Sequence, residues 1–214
     1  MARKSKPKPL FIARQGRRPT GILGFIVAWV MAKETAKDNG IAISLLDVQA
    51  QDRVLDVGTG HGASLARLAG FAAKGSVVGV DYSNVMIGVA RKRNRRLIKS
   101  GQVKVISSAT DRMPFAEASF DKVMAMHTLY FWDPAEPHLR EIARVLAPGG
   151  RFVLGFRPAE DRAIAVQLPA PVYRLRTTDE VEGLLEASDF EIERRERRDM
   201  PGDSMVWLMA RRRN

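Results

Sequence analysis

Val54-Leu55-Asp56-Val57-Gly58-Thr59-Gly60-His61-Gly62 is an apolar, β-branched run that breaks into three alternating glycines. The run reads as a buried strand. Glycines at 58, 60 and 62 read as a tight turn in which backbone can approach a ligand closely. Residues 61–72 then follow a helical period, with Leu65, Leu68 and Ala69 on one face. The N-terminus of such a helix favours negative charge. The next apolar run, Ser76–Asp81, ends in an acid 25 residues beyond Asp56. An acid at the tip of a second strand is placed to accept hydrogen bonds from both hydroxyls of a ribose. Turn and acid together point to a nucleoside-containing cofactor.

The same alternation continues outward. Asn84–Lys99 reads as a helix with Met86, Val89, Ala90 and Leu97 inward, followed by strands at Val103–Ser107 and Phe120–Ala125. Ala135–Leu146 reads as a helix ended by Pro148-Gly149-Gly150, and Arg151–Phe156 as a fifth strand. Pro158, Pro169 and Pro171 make 157–176 an excursion on the substrate side rather than a core element. A helix over Thr177–Ser188, capped by Thr177 or Thr178, precedes Phe190–Arg197 and Ser204–Arg212, two strands joined by a turn at Pro201-Gly202. Strands alternating with helices imply an α/β fold, a doubly wound and mostly parallel sheet covered on both faces, with an antiparallel hairpin at one edge.

The chain has 214 residues, 45% of them hydrophobic, which suits one folded domain and excludes a disordered one. It has no cysteine, so disulfide scaffolds, zinc fingers and thiol nucleophiles are excluded, and no metal centre is expected. The net charge of +11 is regional. Residues 1–18 and 91–104 each carry seven basic residues and no acid, and 194–214 carries seven against three acids. The rest of the chain is net acidic. Lys92, Arg95, Arg96 and Lys99 form one stripe at helical spacing, read as a solvated face. Residues 1–18 read as a disordered basic arm and 19–50 as a helical lid containing the apolar run Gly21–Ala32. Twelve residues are too few to span a bilayer, which takes about 20. Val30-Met31-Ala32 matches a signal cleavage site poorly, so a cytoplasmic protein is expected.

Four ordered landmarks carry a resemblance: VLDVGTGHG, VVGVD ending at Asp81, MPFAEASFDKV (Met113–Val123) and LREIARVLAPGGRFVLGF (Leu139–Phe156). Their glycine spacing is G-x-G-x-G, whereas the dinucleotide fingerprint is G-x-G-x-x-G. Over 50–157 the chain resembles class I S-adenosylmethionine-dependent methyltransferases, in the small ubiquinone/menaquinone-type branch. The resemblance implies a Rossmann-like, seven-stranded domain over 51–214, with S-adenosylmethionine as cofactor and S-adenosylhomocysteine as product. It implies that the backbone of Gly58, Thr59 and Gly60 faces the methionine portion, that Gly62 also belongs to the cofactor site, and that Asp56 helps hold the amino group. Asp81 would bind the ribose, with Tyr82 beside the adenine and Met86 on its face. The family often has Gly-Asp-Ala before the next landmark, its acid accepting from the adenine amino group. Here the residues are Ser108-Ala109-Thr110, so Thr110 backbone and Asp111 are the substitutes expected at that end, beside Ala109.

Methyl transfer needs an aligned nucleophile, and a general base only where the nucleophile arrives protonated. His127 and Tyr130, in MHTLYFWDP after the fourth strand, are the catalytic candidates, and His127 is also a cofactor or wall contact. His61 lies in the glycine turn and His138 on a helix expected to be exposed; neither is assigned a catalytic role. The acceptor expected is small, hydrophobic or lipid-like, because a basic arm running into an apolar lid suits an anionic membrane surface. The alternatives are an RNA- or DNA-binding methyltransferase and a cofactor-binding protein without catalysis.

Overall fold

The computed structural model describes residues 8–17 and 35–214. Helix α1 (Leu10–Arg17) and helix α2 (35–46) precede the sheet. Then come β1 (Arg53–Val57), α3 (Ala63–Phe71), β2 (Ser76–Asp81), α4 (Asn84–Arg93), α5 (Arg95–Lys99), β3 (Val103–Ser107) and β4 (Phe120–Met126). The chain continues through α6 (Glu136–Val145), β5 (Leu146–Phe156), α7 (Arg162–Gln167), α8 (Thr178–Glu186), β6 (Phe190–Arg198) and β7 (Met205–Arg212). The seven strands lie in the order β3-β2-β1-β4-β5-β7-β6. All neighbours are parallel except β5–β7 and β7–β6. This is the doubly wound sheet with a terminal hairpin that the pattern implies.

Period two along β1 divides the core. Leu55 and Val57 belong to the cluster that includes Leu139, Ile142 and Phe152. Val54 belongs to the opposite cluster, with Leu65, Leu68, Val77 and Trp207. Both faces are dry because helices cover both, as parallel sheets require. The chain reverses its direction of winding between β1 and β4, so their carboxyl ends open a crevice at a topological switch point.

Several local expectations are corrected. The helix expected over Asn84–Lys99 breaks at Asn94, whose buried side chain donates to Ala90 O and Gly62 O, both at 2.9 Å. An asparagine that bonds nearby carbonyls competes with the helix ladder, and here it ties the glycine turn to α4. Within 157–176, α7 is capped by Asp161, and Ile164, Leu168, Val172 and Tyr173 join the core. The segment is therefore part of the packed domain. Leu10–Arg17 is helical although it falls within the basic arm, because Ala13 is buried and its carbonyl accepts from Tyr173 Oη at 3.4 Å. The apolar run Gly21–Ala32 lies outside the described residues. Among those described, no helix is long and apolar enough to cross a membrane.

Candidate active site

A cavity of about 340 Å³ opens at the carboxyl ends of β1, β2 and β4. Gly58 and Gly60 form its floor, with φ of +73° and +54°, a region that L side chains rarely adopt. A Cβ on Gly58 would lie 2.0 Å from Thr128 Cγ2, so this glycine is required by the wall behind it. A Cβ on Gly60 would meet nothing within 4 Å, so here the backbone faces open cavity. Behind the floor, Asp56 is fully enclosed and accepts from Thr59 Oγ1 at 2.8 Å and from Ser64 Oγ. Burial pushes its pKa up to about 6, the two hydroxyls opposing the shift and the Asp81 charge adding to it.

Asp81 ends β2 with 8% exposure. Its Oδ2 accepts from Gly60 N–H at 2.9 Å and its Oδ1 from Ser83 N–H at 2.8 Å. Burial raises its pKa, and the backbone N–H groups of Ser83, Gly60 and Tyr82 oppose the shift. An ionised carboxylate has about four acceptor positions, so these bonds do not exhaust it. Ser83 caps α4 and thereby sets Met86, which with Tyr82 forms one wall. Ala109, Thr110, Trp132 and His138 also line the cavity, and Met124, Met126 and Phe131 make the remainder largely apolar.

His127 follows β4 with φ +57°, its N–H donating to Gly155 O at 2.9 Å. The ring sits between Tyr130 Oη, 3.3 Å from Nδ1, and Asp38 Oδ2, 3.5 Å from Nε2. Burial lowers its pKa, and the Asp38 carboxylate opposes that. Asp38 comes from α2, is 2% exposed, and accepts from Arg198 Nη1 at 2.7 Å. Burial works to raise the Asp38 pKa, but its bonds to His127 and Arg198 outweigh that and hold it low.

Ten of the expected site residues line the cavity: Asp56, Gly58, Thr59, Gly60, Asp81, Tyr82, Met86, Ala109, Thr110 and His127. Gly62, Asp111 and Tyr130 do not. Gly62 packs on α4, where a Cβ would come within 2.8 Å of Ala90 and Asn94. Asp111 is exposed. Tyr130 is buried behind His127, its oxygen accepting from Arg157 N–H at 2.5 Å. His138, expected on an exposed helix, is instead half-buried in the wall. Asn39, His61 and Thr128 also line the cavity, and Asn39 Oδ1, His61 Nε2 and Thr128 Oγ1 are buried without a partner among the described residues. His61 was visible in the glycine turn. Nothing in the sequence around Asn39 marks it.

Residues 55–154 match the methyltransferase domain family. Over those residues, just under half of the chain, the protein is similar to that family. Over 147 residues it is 31% identical to the O-methyltransferase cnsE of Penicillium expansum, covering 66% of this chain and 52% of that one. It is 35% identical over 134 residues to the demethylmenaquinone methyltransferase of Tropheryma whipplei, covering 63% and 52%. The chain thus spans about half the length of these curated relatives. The crystal structure of the [4+2]-cyclase SpnF superposes with a TM-score of 0.69 at 21% identity, covering 83% of this chain and 81% of that one, a likeness of fold. The cavity suits S-adenosylmethionine on its own features. It has open space at Gly60, an under-used carboxylate at Asp81, and, beside the glycine floor, polar atoms of Asn39, His61 and Thr128 without a partner among the described residues.

Proposed function

We propose that the protein methylates a small, hydrophobic or lipid-like acceptor, with S-adenosylmethionine as donor. One observation carries this reading: a single cavity joins the Gly60–Asp81 floor to an apolar wall of Met124, Met126, Phe131 and Trp132. The floor residues hold the cofactor, Asp81 at the ribose and Asp56 toward the amino group. When bound, the cofactor supplies a methyl group on a sulfonium and leaves as a neutral thioether. The wall positions the acceptor and excludes water, so that alignment supplies much of the rate. The names of the relatives, an O-methyltransferase and a demethylmenaquinone methyltransferase, support a small-molecule acceptor.

Labelled-methyl transfer into fractionated extract tests the acceptor class. Label is expected in the lipid or small-molecule fraction, and label confined to RNA or protein would reject the reading. His127 lines the cavity, and we assign it the proton where the acceptor arrives protonated, which requires its ring to turn a nitrogen from Tyr130 or Asp38 toward the acceptor. Turnover by His127→Ala should therefore fall by about 10²-fold, with cofactor affinity changed less than about threefold. An unchanged rate would make His127 a wall residue.

Asp56 gives the cofactor site a pH dependence. The free protein holds its pKa at about 6, and the ammonium group of the ligand favours the carboxylate form. Binding therefore releases a proton where Asp56 is protonated. Affinity for S-adenosylhomocysteine should be flat above that pKa and weaken as pH falls through it, approaching about tenfold per pH unit. Titration calorimetry over this range checks the slope. Asp56→Asn should flatten it, and an equally steep fall in that variant would assign the dependence to another group.

A further inference from the structure

The adenine end of the cavity departs from the family pattern at Ala109, where the usual acid is missing. Asp111, the substitute that the sequence suggests, is exposed and outside the cavity lining. His138, on the first turn of α6, is inside it. Two independent contacts fix the imidazole. Its Nδ1 lies 2.7 Å from Thr110 Oγ1, and its ring stacks on Trp132 with centroids 5.1 Å apart and planes 8° from parallel. Among the described residues, Nε2 has no hydrogen-bond partner. Burial lowers the pKa of the ring, against a smaller opposite effect of the Asp111 charge, so His138 is neutral near pH 7. A neutral imidazole has one donor and one acceptor nitrogen.

We infer that His138 replaces the missing acid, its Nε2 accepting a hydrogen bond from the adenine amino group of the cofactor. In that arrangement Nδ1–H donates to Thr110 Oγ1, which sets the tautomer and leaves the Nε2 lone pair for the ligand. Ala109 has no side-chain acceptor, and an amino group buried without one would lose its bonds to water for nothing. The Trp132 stack keeps the ring from turning Nε2 away. Residue 138 thus becomes the residue that distinguishes adenine from a purine without the amino group. The inference rests on the S-adenosylmethionine reading of the site.

Titration calorimetry with S-adenosylhomocysteine and with its analogue lacking the 6-amino group tests it. The native protein should prefer S-adenosylhomocysteine by about tenfold, the worth of one well-formed hydrogen bond. His138→Phe keeps a ring on Trp132 but has no nitrogen, and its preference should shrink to about twofold or less. Thr110→Val removes the group that orients the ring and should also narrow the preference, which supplies a second variant if the first does not fold by circular dichroism. An undiminished preference in a folded variant, or no preference in the native protein, overturns the role of His138 and leaves the cofactor reading intact. Failure of the native protein to bind either thioether overturns both.

Discussion

Asp81→Ala should weaken S-adenosylhomocysteine binding by about two to three orders of magnitude. Asp81 is 8% exposed and already accepts the N–H groups of Gly60 and Ser83, so its carboxylate shapes the glycine turn before any ligand arrives. Bonds from two ribose hydroxyls to an ionised acceptor contribute about 1.5–3 kcal/mol each. Alanine removes these and leaves two backbone donors at the cavity floor without their partner. The effect on folding should be much smaller. Burial raises the Asp81 pKa, so the folded protein favours the protonated form, and ionised Asp81 costs stability that grows as pH rises. A carboxylate kept against its own folding cost is the pattern of a functional acid. Asp81→Asn keeps the shape but offers a single acceptor oxygen to the N–H groups of Gly60 and Ser83, so it should lose most of the affinity with a smaller loss of stability. Calorimetry paired with denaturant unfolding separates the two effects, and affinity within about tenfold of native for Asp81→Ala would remove Asp81 from the ribose site.

The part of this site that lies along β1, β2 and their turns was legible because local rules produce it. Glycines at positive φ, an acid at a strand tip and alternating apolar runs all leave marks within a few residues. The alternation of β-branched runs with helical periods made a mostly parallel, doubly wound sheet legible, though not its strand order. What was not legible is tertiary. Asn94 breaks a helix because its amide finds Gly62 O, 32 residues away in sequence. His138 was read as exposed because helical spacing alone does not show that Trp132 and Thr110 would close over it. Asn39 and Asp38 reach the site from α2, whose sequence carries no motif. Charge misled in a similar way. The arginines of the C-terminal hairpin are largely paired, Arg195 with Glu182, Arg211 with Glu193, Arg212 with Glu117 and Arg198 with Asp38. Such pairs along β6, an edge strand, mask its open backbone and leave less free charge for a polyanion than the count suggests. Lys92, Arg95, Arg96 and Lys99 are exposed, as a solvated stripe should be.

Gly58→Ala should destabilise the fold by roughly 2–5 kcal/mol, and the reason can be divided in two. A left-handed φ of +73° costs an L residue about 1–2 kcal/mol wherever it occurs. The new methyl group would also stand 2.0 Å from Thr128 Cγ2, far inside contact distance, and overpacking of that kind costs about 1–3 kcal/mol. Because Gly58 and Thr128 both line the cavity, relief of the clash must shift the floor against the wall, so S-adenosylhomocysteine affinity should fall with stability. Thr128→Ser separates the terms, for it deletes Cγ2 and retains the hydroxyl. In the double variant the nearest remaining atom of residue 128 is Cβ at 3.4 Å, an ordinary contact. The overpacking part and most of the affinity should return, while the backbone part of about 1–2 kcal/mol should remain. Denaturant unfolding of the four proteins in this cycle measures both. If Gly58→Ala is within about 0.5 kcal/mol of native, or if Thr128→Ser rescues nothing, then the floor is not wedged against Thr128 and Gly58 serves the ligand alone.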